Sequence, residues 1–246
     1  MNDKPLSLFW QECVTSPPSA IAGDTICLDQ TEVPEKWQYP PAVLFVSLQM
    51  RNKLARAGIH PIIIDSPWHL EPALLMAHCP QRMLSDDMIL LPFGNLAKRK
   101  SVKARFFIRP NSGSKSFPGQ VINSDEIGTL KQSYLISDET LVCIASERKV
   151  LAEKRCIIDT TTGQIIAQSP YAHDGQEAKD FEVDAKRDWT GLVPFGLLPE
   201  IIVADFALTP DGVRLIELNS ISTSGLYDIK PEEIYNYINS NQDRFS

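Results

Sequence analysis

Ile201-Ile202-Val203-Ala204-Asp205-Phe206-Ala207-Leu208-Thr209-Pro210-Asp211-Gly212-Val213-Arg214-Leu215-Ile216-Glu217-Leu218-Asn219 is two apolar runs around a turn. Thr209-Pro210-Asp211-Gly212 suits a type I turn, with Pro second, Asp third and Gly where a left-handed residue is needed. The spacing predicts a hairpin of 201–208 against 213–218. With a three-residue loop and a glycine bulge, Thr209 pairs with Val213. Counting back puts Ala207 opposite Leu215 and Asp205 opposite Glu217. Side chains alternate along a strand, so Asp205, Glu217 and Asn219 share one face. Phe206, Leu208, Ile216 and Leu218 form the other, core-directed face. Two carboxylates directly opposite each other repel. A bound hard cation would relieve them, because carboxylate and amide oxygens are what magnesium accepts. An exposed face with solvated acids is the alternative, and a one-residue slip would scatter the three groups.

Upstream, 155–159 and 164–168 flank Thr160-Thr161-Thr162-Gly163 and read as another hairpin. Strands are expected over 104–109, stopped by Pro110, and over 141–146. An exposed charged helix is expected over 176–189, and a terminal helix over 231–239 with Pro231 in its first turn. The first hundred residues differ in character. The first forty are proline-rich loops around short strands. Ala42–Val46 is a buried strand, Ser47 caps a helix over 48–57, and Gly58 ends it. Ile62-Ile63-Ile64 is the next strand, so this part is a small α/β region. Residues 70–79 and 86–96 are expected as helices, Pro92 weakening the second.

The 246 residues, 43% of them hydrophobic, suffice for one large domain or two small ones. A net charge of −7 repels nucleic acid and anionic membrane without forbidding a local basic pocket. No apolar run reaches the roughly 18 residues that cross a bilayer. The N-terminus lacks a signal peptide's basic start and apolar core. The five scattered cysteines, without a CxxC, fit reduced thiols in a cytoplasm. The four histidines have no metal-ligand spacing.

Arg109-Pro110-Asn111-Ser112-Gly113-Ser114-Lys115-Ser116-Phe117-Pro118-Gly119 runs from a strand end into a loop of small residues. Such a loop lets backbone N–H groups approach an anion, and Arg109 and Lys115 add charge. It is not a Walker A loop, since Ser114 stands where that motif needs Gly. An ordinary surface turn is the plainer account. Arg155 sits two residues after Glu153 on the same strand face. It is either a surface ion pair or a cation reaching a phosphate or a substrate carboxylate. Together, basic loop, strand arginine and acidic face are what a nucleoside triphosphate with magnesium requires.

Asp205, then Glu217-Leu218-Asn219 on the next strand, resembles the Asp…Glu-x-Asn metal signature of the ATP-grasp superfamily. With Phe107-Ile108-Arg109-Pro110, Lys115 and Gly119, Glu153-Lys154-Arg155 and Asn219–Tyr227, the chain resembles the clade named for two arginines and a lysine, found in bacteria and their phages. Lys154 departs from that pattern, which often has an aromatic residue there. The resemblance implies an α+β ATP-grasp fold, two α+β subdomains sandwiching ATP, over 99–246, preceded by a small α/β domain over 1–98. It implies that Arg109 and Lys115 contact phosphates. Val142, Ile144 and Ser146 would line a hinge beside adenine, Glu153 would contact the nucleotide, and Arg155 would lie near the phosphates or the substrate. Asp205, Glu217 and Asn219 would hold magnesium, with Glu217 bridging two ions. The implied activity is ligation of a carboxylate to an amine-type acceptor, small molecule or peptide, through an acyl phosphate. A nucleotide-binding module without catalysis, and a kinase that stops at phosphoryl transfer, are the alternatives.

Overall fold

A computed structural model of the chain describes residues 5–15, 17–19, 21–28, 42–58, 70–96, 98, 105–112, 115–171, 180–184 and 199–245. The N-terminal part holds three parallel strands, β1 (Ser7–Trp10), β2 (Thr25–Cys27) and β3 (Ala42–Phe45), ordered β2-β1-β3. Helix α1 (Leu48–Arg56) follows, with the Ser47 hydroxyl accepting from the Met50 N–H. Gly58, at φ 74°, ends it. Phe9 and Leu44 of the sheet, with Val46 just past β3, pack on Met50 and Leu54 of the helix. Parallel strands and a covering helix thus make up this part, while the strand expected at 62–64 lies outside the described residues.

Helix α2 (Pro72–His78) matches the expectation at 70–79. The helix expected over 86–96 does not form. Instead β4 (Ile89–Pro92) pairs with β7 (Leu141–Ala145), and a 3-10 turn follows at Phe93–Asn95. Pro92 has no N–H for a helix, whereas the last residue of an edge strand tolerates it. Strands β5 (Arg105–Pro110) and β6 (Gln120–Asn123) complete a sheet ordered β4-β7-β5-β6, on which α3 (Ile127–Ser133) packs through Leu130. The division expected at residue 98 would cut β4 away from this sheet.

The second four-stranded sheet, ordered β11-β10-β8-β9, joins β8 (Ala152–Asp159), β9 (Ile165–Tyr171), β10 (Ile201–Thr209) and β11 (Gly212–Ser220), all antiparallel. The unbroken apolar run Ile201–Ala204 is covered on both sides. Ile202 and Ala204 pack with Leu75, Cys79 and Met83. Ile201 and Val203 pack with Leu8, Val43 and Phe45 of the N-terminal sheet and with α4 (Pro231–Ser240). The chain closes with α5 (Gln242–Phe245). The helix expected over 176–189 lies largely outside the described residues. Of it, 180–184 carry no regular element.

The acidic hairpin departs from its expected register. Thr209 pairs with Gly212 around a two-residue loop, and Gly212 takes φ 108°. Phe206 pairs with Leu215, and a bulge between Asp205 and Phe206 leaves Ile216 unmatched. Beyond it Asp205 faces Glu217, as the count required. Ile216, expected in the core, lines a cleft instead, and Leu215 takes the buried place.

Candidate active site

A cleft of about 670 Å³ lies between the two four-stranded sheets. The smaller sheet contributes Phe107 and Arg109 from β5 and the loop from Lys115 to Val121. Gly119 packs closely there, since an added Cβ would stand 2.9 Å from the Phe107 ring and the ring would have to shift. Lys115 holds a left-handed φ of 45°. The larger sheet contributes Glu153, Arg155, Asp205 and Glu217. Ser146, Arg148 and Val150, from the connector between β7 and β8, also line it.

Two charge networks meet on the floor of the cleft. Arg155 donates to both oxygens of Asp205 at 2.7 Å, and to the Gly225 carbonyl at 2.6 Å. The pair is cross-strand, from β8 to β10, with Arg155 buried and Asp205 partly buried. Across the cleft, Arg109 reaches Glu217 Oε2 at 2.8 Å and Lys115 reaches Oε1 at 2.6 Å. Asn219 links the networks, its Nδ2 lying 3.1 Å from Asp205 Oδ2 and 2.8 Å from Glu217 Oε1. Burial alone would raise Glu217, but Arg109 and Lys115 outweigh it and hold the carboxyl at about 2. For Asp205 burial prevails over the pull of Arg155, and the Glu217 charge adds to it, so this carboxyl stands above its ordinary value.

The polar ends of Asp205, Glu217 and Asn219 therefore converge on one point. Two carboxylates and an amide oxygen are a donor set that fits magnesium. Among the described residues no cluster of three or more His, Cys, Asp and Glu could hold a metal, and Asn219, whose Nδ2 here donates to both carboxylates, would complete an oxygen set only by turning its amide. Arg155 is a buried partner of Asp205, which excludes the exposed ion pair as its role.

Arg109, Lys115, Arg155, Glu153, Ser146, Asp205 and Glu217 all line the cleft. Val142 and Ile144 do not. They are 0% and 7% exposed and pack in the core of the smaller sheet with Ile108 and Leu130. Residues 141–145 are strand rather than hinge, and the turn toward the second sheet begins at Ser146. Sequence reasoning missed Arg148, Tyr171 and Tyr227, which also line the cleft. Arg148 pairs with Asp86 at 2.5 Å and with Asp87 at 3.4 Å, and Asp87 accepts the Ser146 N–H, tying the connector to the loop before β4. Nothing in the local sequence marks that contact, since its partners stand some sixty positions apart. Lys154, the departure from the family pattern, also borders the cleft. It is 3% exposed, paired with Asp180 at 2.5 Å and set over the Phe181 ring.

A nucleotide-sized cleft between two α+β units, with phosphate-type cations on one wall and an Asp…Glu-x-Asn face on the other, defines an ATP-grasp protein. Residues 87–237 match the ATP-grasp domain of the second family in the clade named for two arginines and a lysine, and the chain belongs to that family. No curated protein sequence matches it significantly. Its fold is similar to that of D-cycloserine synthetase DcsG, at 12% identity and a TM-score of 0.62, over 98% of this chain and 99% of that one. An ATP-grasp RimK-domain protein of Sphaerobacter thermophilus is 9% identical, with a TM-score of 0.58 over 96% and 98% of the two chains. A D-alanine–D-alanine ligase of Bacillus anthracis, solved with ATP, is 11% identical, with a TM-score of 0.56 over 97% and 92%. At such identities these likenesses show the fold alone. Among the described residues no helix is long and apolar enough to cross a membrane.

Proposed function

We propose that the protein is an ATP-dependent, ADP-forming ligase that joins a carboxylate to an amine. One observation carries this reading: a partly buried Asp205/Glu217/Asn219 face opposed, across a nucleotide-sized cleft, by Arg109 and Lys115. In the proposed reaction a substrate carboxylate oxygen attacks the γ-phosphorus of ATP. The bond to the bridging oxygen breaks, giving an acyl phosphate and ADP. The amine nitrogen then attacks the acyl carbon, phosphate leaves, and the nitrogen loses a proton. Magnesium, when bound, neutralises phosphate charge and orients the γ-phosphate. Asp205, Glu217 and Asn219 would hold it, as one ion or two. Arg109 and Lys115 would move from Glu217 to the phosphate oxygens, where cations stabilise the charge that spreads in the transition state. Arg155 would orient Asp205 through its two-point contact. Ser146, Glu153 and the connector would seat the nucleoside. The cytoplasm, where ATP is abundant and thiols stay reduced, is the proposed setting.

The test is ADP release by the purified chain with magnesium, ATP and a panel of carboxylates and amines. The expected result is release that needs both partners and yields a joined product. A persistent phosphorylated product would make it a kinase. Nucleotide binding without any release would make it a binding module.

A further inference from the structure

Tyr227 is a large aromatic residue held half exposed in the cleft. It takes a left-handed φ of 52°, a conformation that a bulky side chain rarely adopts, and it remains 51% exposed while lining the cleft. Strain of this kind persists where surrounding structure imposes it, and it clusters at ligand sites. Here the imposing groups are visible. The Arg155 guanidinium lies 4.6 Å from the ring centroid, while its NH1 donates to the Gly225 carbonyl two residues earlier. Tyr171, from the end of β9, meets the same ring edge-on, with centroids 4.6 Å apart and planes at 66°. The two rings make a corner. Its apex is Arg155, whose other side grips Asp205. The corner thus stands one guanidinium away from the proposed metal face.

We propose that this corner receives a planar or branched apolar group carried by a substrate next to its reacting carboxyl or amino group, and that Tyr227 determines specificity for it. The chemistry of the rings selects the class. Arg155 already occupies one face of Tyr227, so a second cation on the other face would meet a quadrupole that is already engaged. An apolar or π-bearing group suffers no such penalty and gains from offset or edge contact with both rings. The inference rests on the proposed ligase only in taking this cleft as the place of reaction.

The test is direct binding, measured by calorimetry with magnesium and a non-hydrolysable ATP analogue saturating the nucleotide site. The probes are 3-phenylpropionate against propionate, and phenethylamine against ethylamine. At least one ring-bearing probe is expected to bind tenfold or more tightly than its short counterpart. Tyr227→Phe should keep that preference and Tyr227→Ala should abolish it, each protein being compared at saturating analogue. Whether the carboxylate or the amine pair shows the preference tells which substrate carries the group. Equal binding of long and short probes by the wild type, or a preference that survives Tyr227→Ala, overturns the proposal. If Tyr227→Ala does not fold, Tyr227→Asn, which tolerates positive φ, takes its place. Because no turnover is read, failure here is distinct from failure to release ADP.

Discussion

Glu217 accepts from Arg109, Lys115 and Asn219 at once, and that convergence sets its chemistry. Replacing it by Gln keeps the shape and removes the charge. Glu217→Gln should lower ADP release at least a hundredfold, and Lys115→Ala should do the same through loss of phosphate contact. Steady-state assays of the two variants check both. The carboxyl also makes a pH statement. Its pKa falls from an ordinary 4.5 to about 2, so its contribution to stability is fully present above 4.5 and is lost as the pH falls toward 2. The melting-temperature advantage of the ligand-free wild type over Glu217→Gln should therefore shrink across that window. An advantage that is constant from pH 5 to pH 2 would contradict it. Asp205 titrates in the opposite sense, because its raised pKa makes ionisation costly as the pH rises past 3.8. These residues are legible in the sequence as candidates, since charge type and spacing are local. Tyr227 is not, because nothing in Gly225-Leu226-Tyr227 announces a left-handed tyrosine held by Arg155, far away in the sequence.

The hairpin of β10 and β11 shows how much of an element a spacing argument can recover. The pairing of Asp205 with Glu217 follows from the count, although the turn has two residues instead of the expected three. The bulge at Ile216 restores the count, so an error at the turn and an omission in the ladder cancel. Bulges are packing features and leave little trace in a hydrophobic pattern. The same limit explains 86–96, where Ile89-Leu90-Leu91 has no partner in sequence and gains its identity only from β7. It explains Val142 and Ile144 as well: alternation finds a strand but not which sheet face meets the cleft. Gly212 allows a clean test at this scale. Its φ is 108°, and an added Cβ would meet nothing within 4 Å, so only backbone strain opposes a side chain. Gly212→Ala should cost about 1–2 kcal/mol, read by denaturant unfolding, with a smaller change at Gly128, which is helical and equally open.

At the level of the whole molecule, the N-terminal sheet and the larger sheet share one core. Leu8, Val43 and Phe45 pack directly on Ile157, Ile201 and Val203. The smaller sheet has its own core around Phe106, Ile108 and Phe117. A nucleotide bound between the sheets must stabilise the fold that forms its site. Magnesium-ADP at a hundredfold excess over its dissociation constant should add about 2.7 kcal/mol, seen as a raised melting temperature in the wild type. Asp205→Asn should show little or none of the magnesium-dependent part. The Lys115–Glu217 contact spans the cleft and fastens the loop of one sheet to the strand of the other. Under the proposed function that bridge would make Glu217 a resident inhibitor. In the proposed reaction the carboxylate occupies the very cations that phosphate would claim, so a nucleotide would enter by displacing a competitor that the protein carries in its own chain. Removing the competitor should tighten binding of metal-free ATP even as it stops turnover, and calorimetry on Glu217→Gln would find the dead enzyme to be the better host.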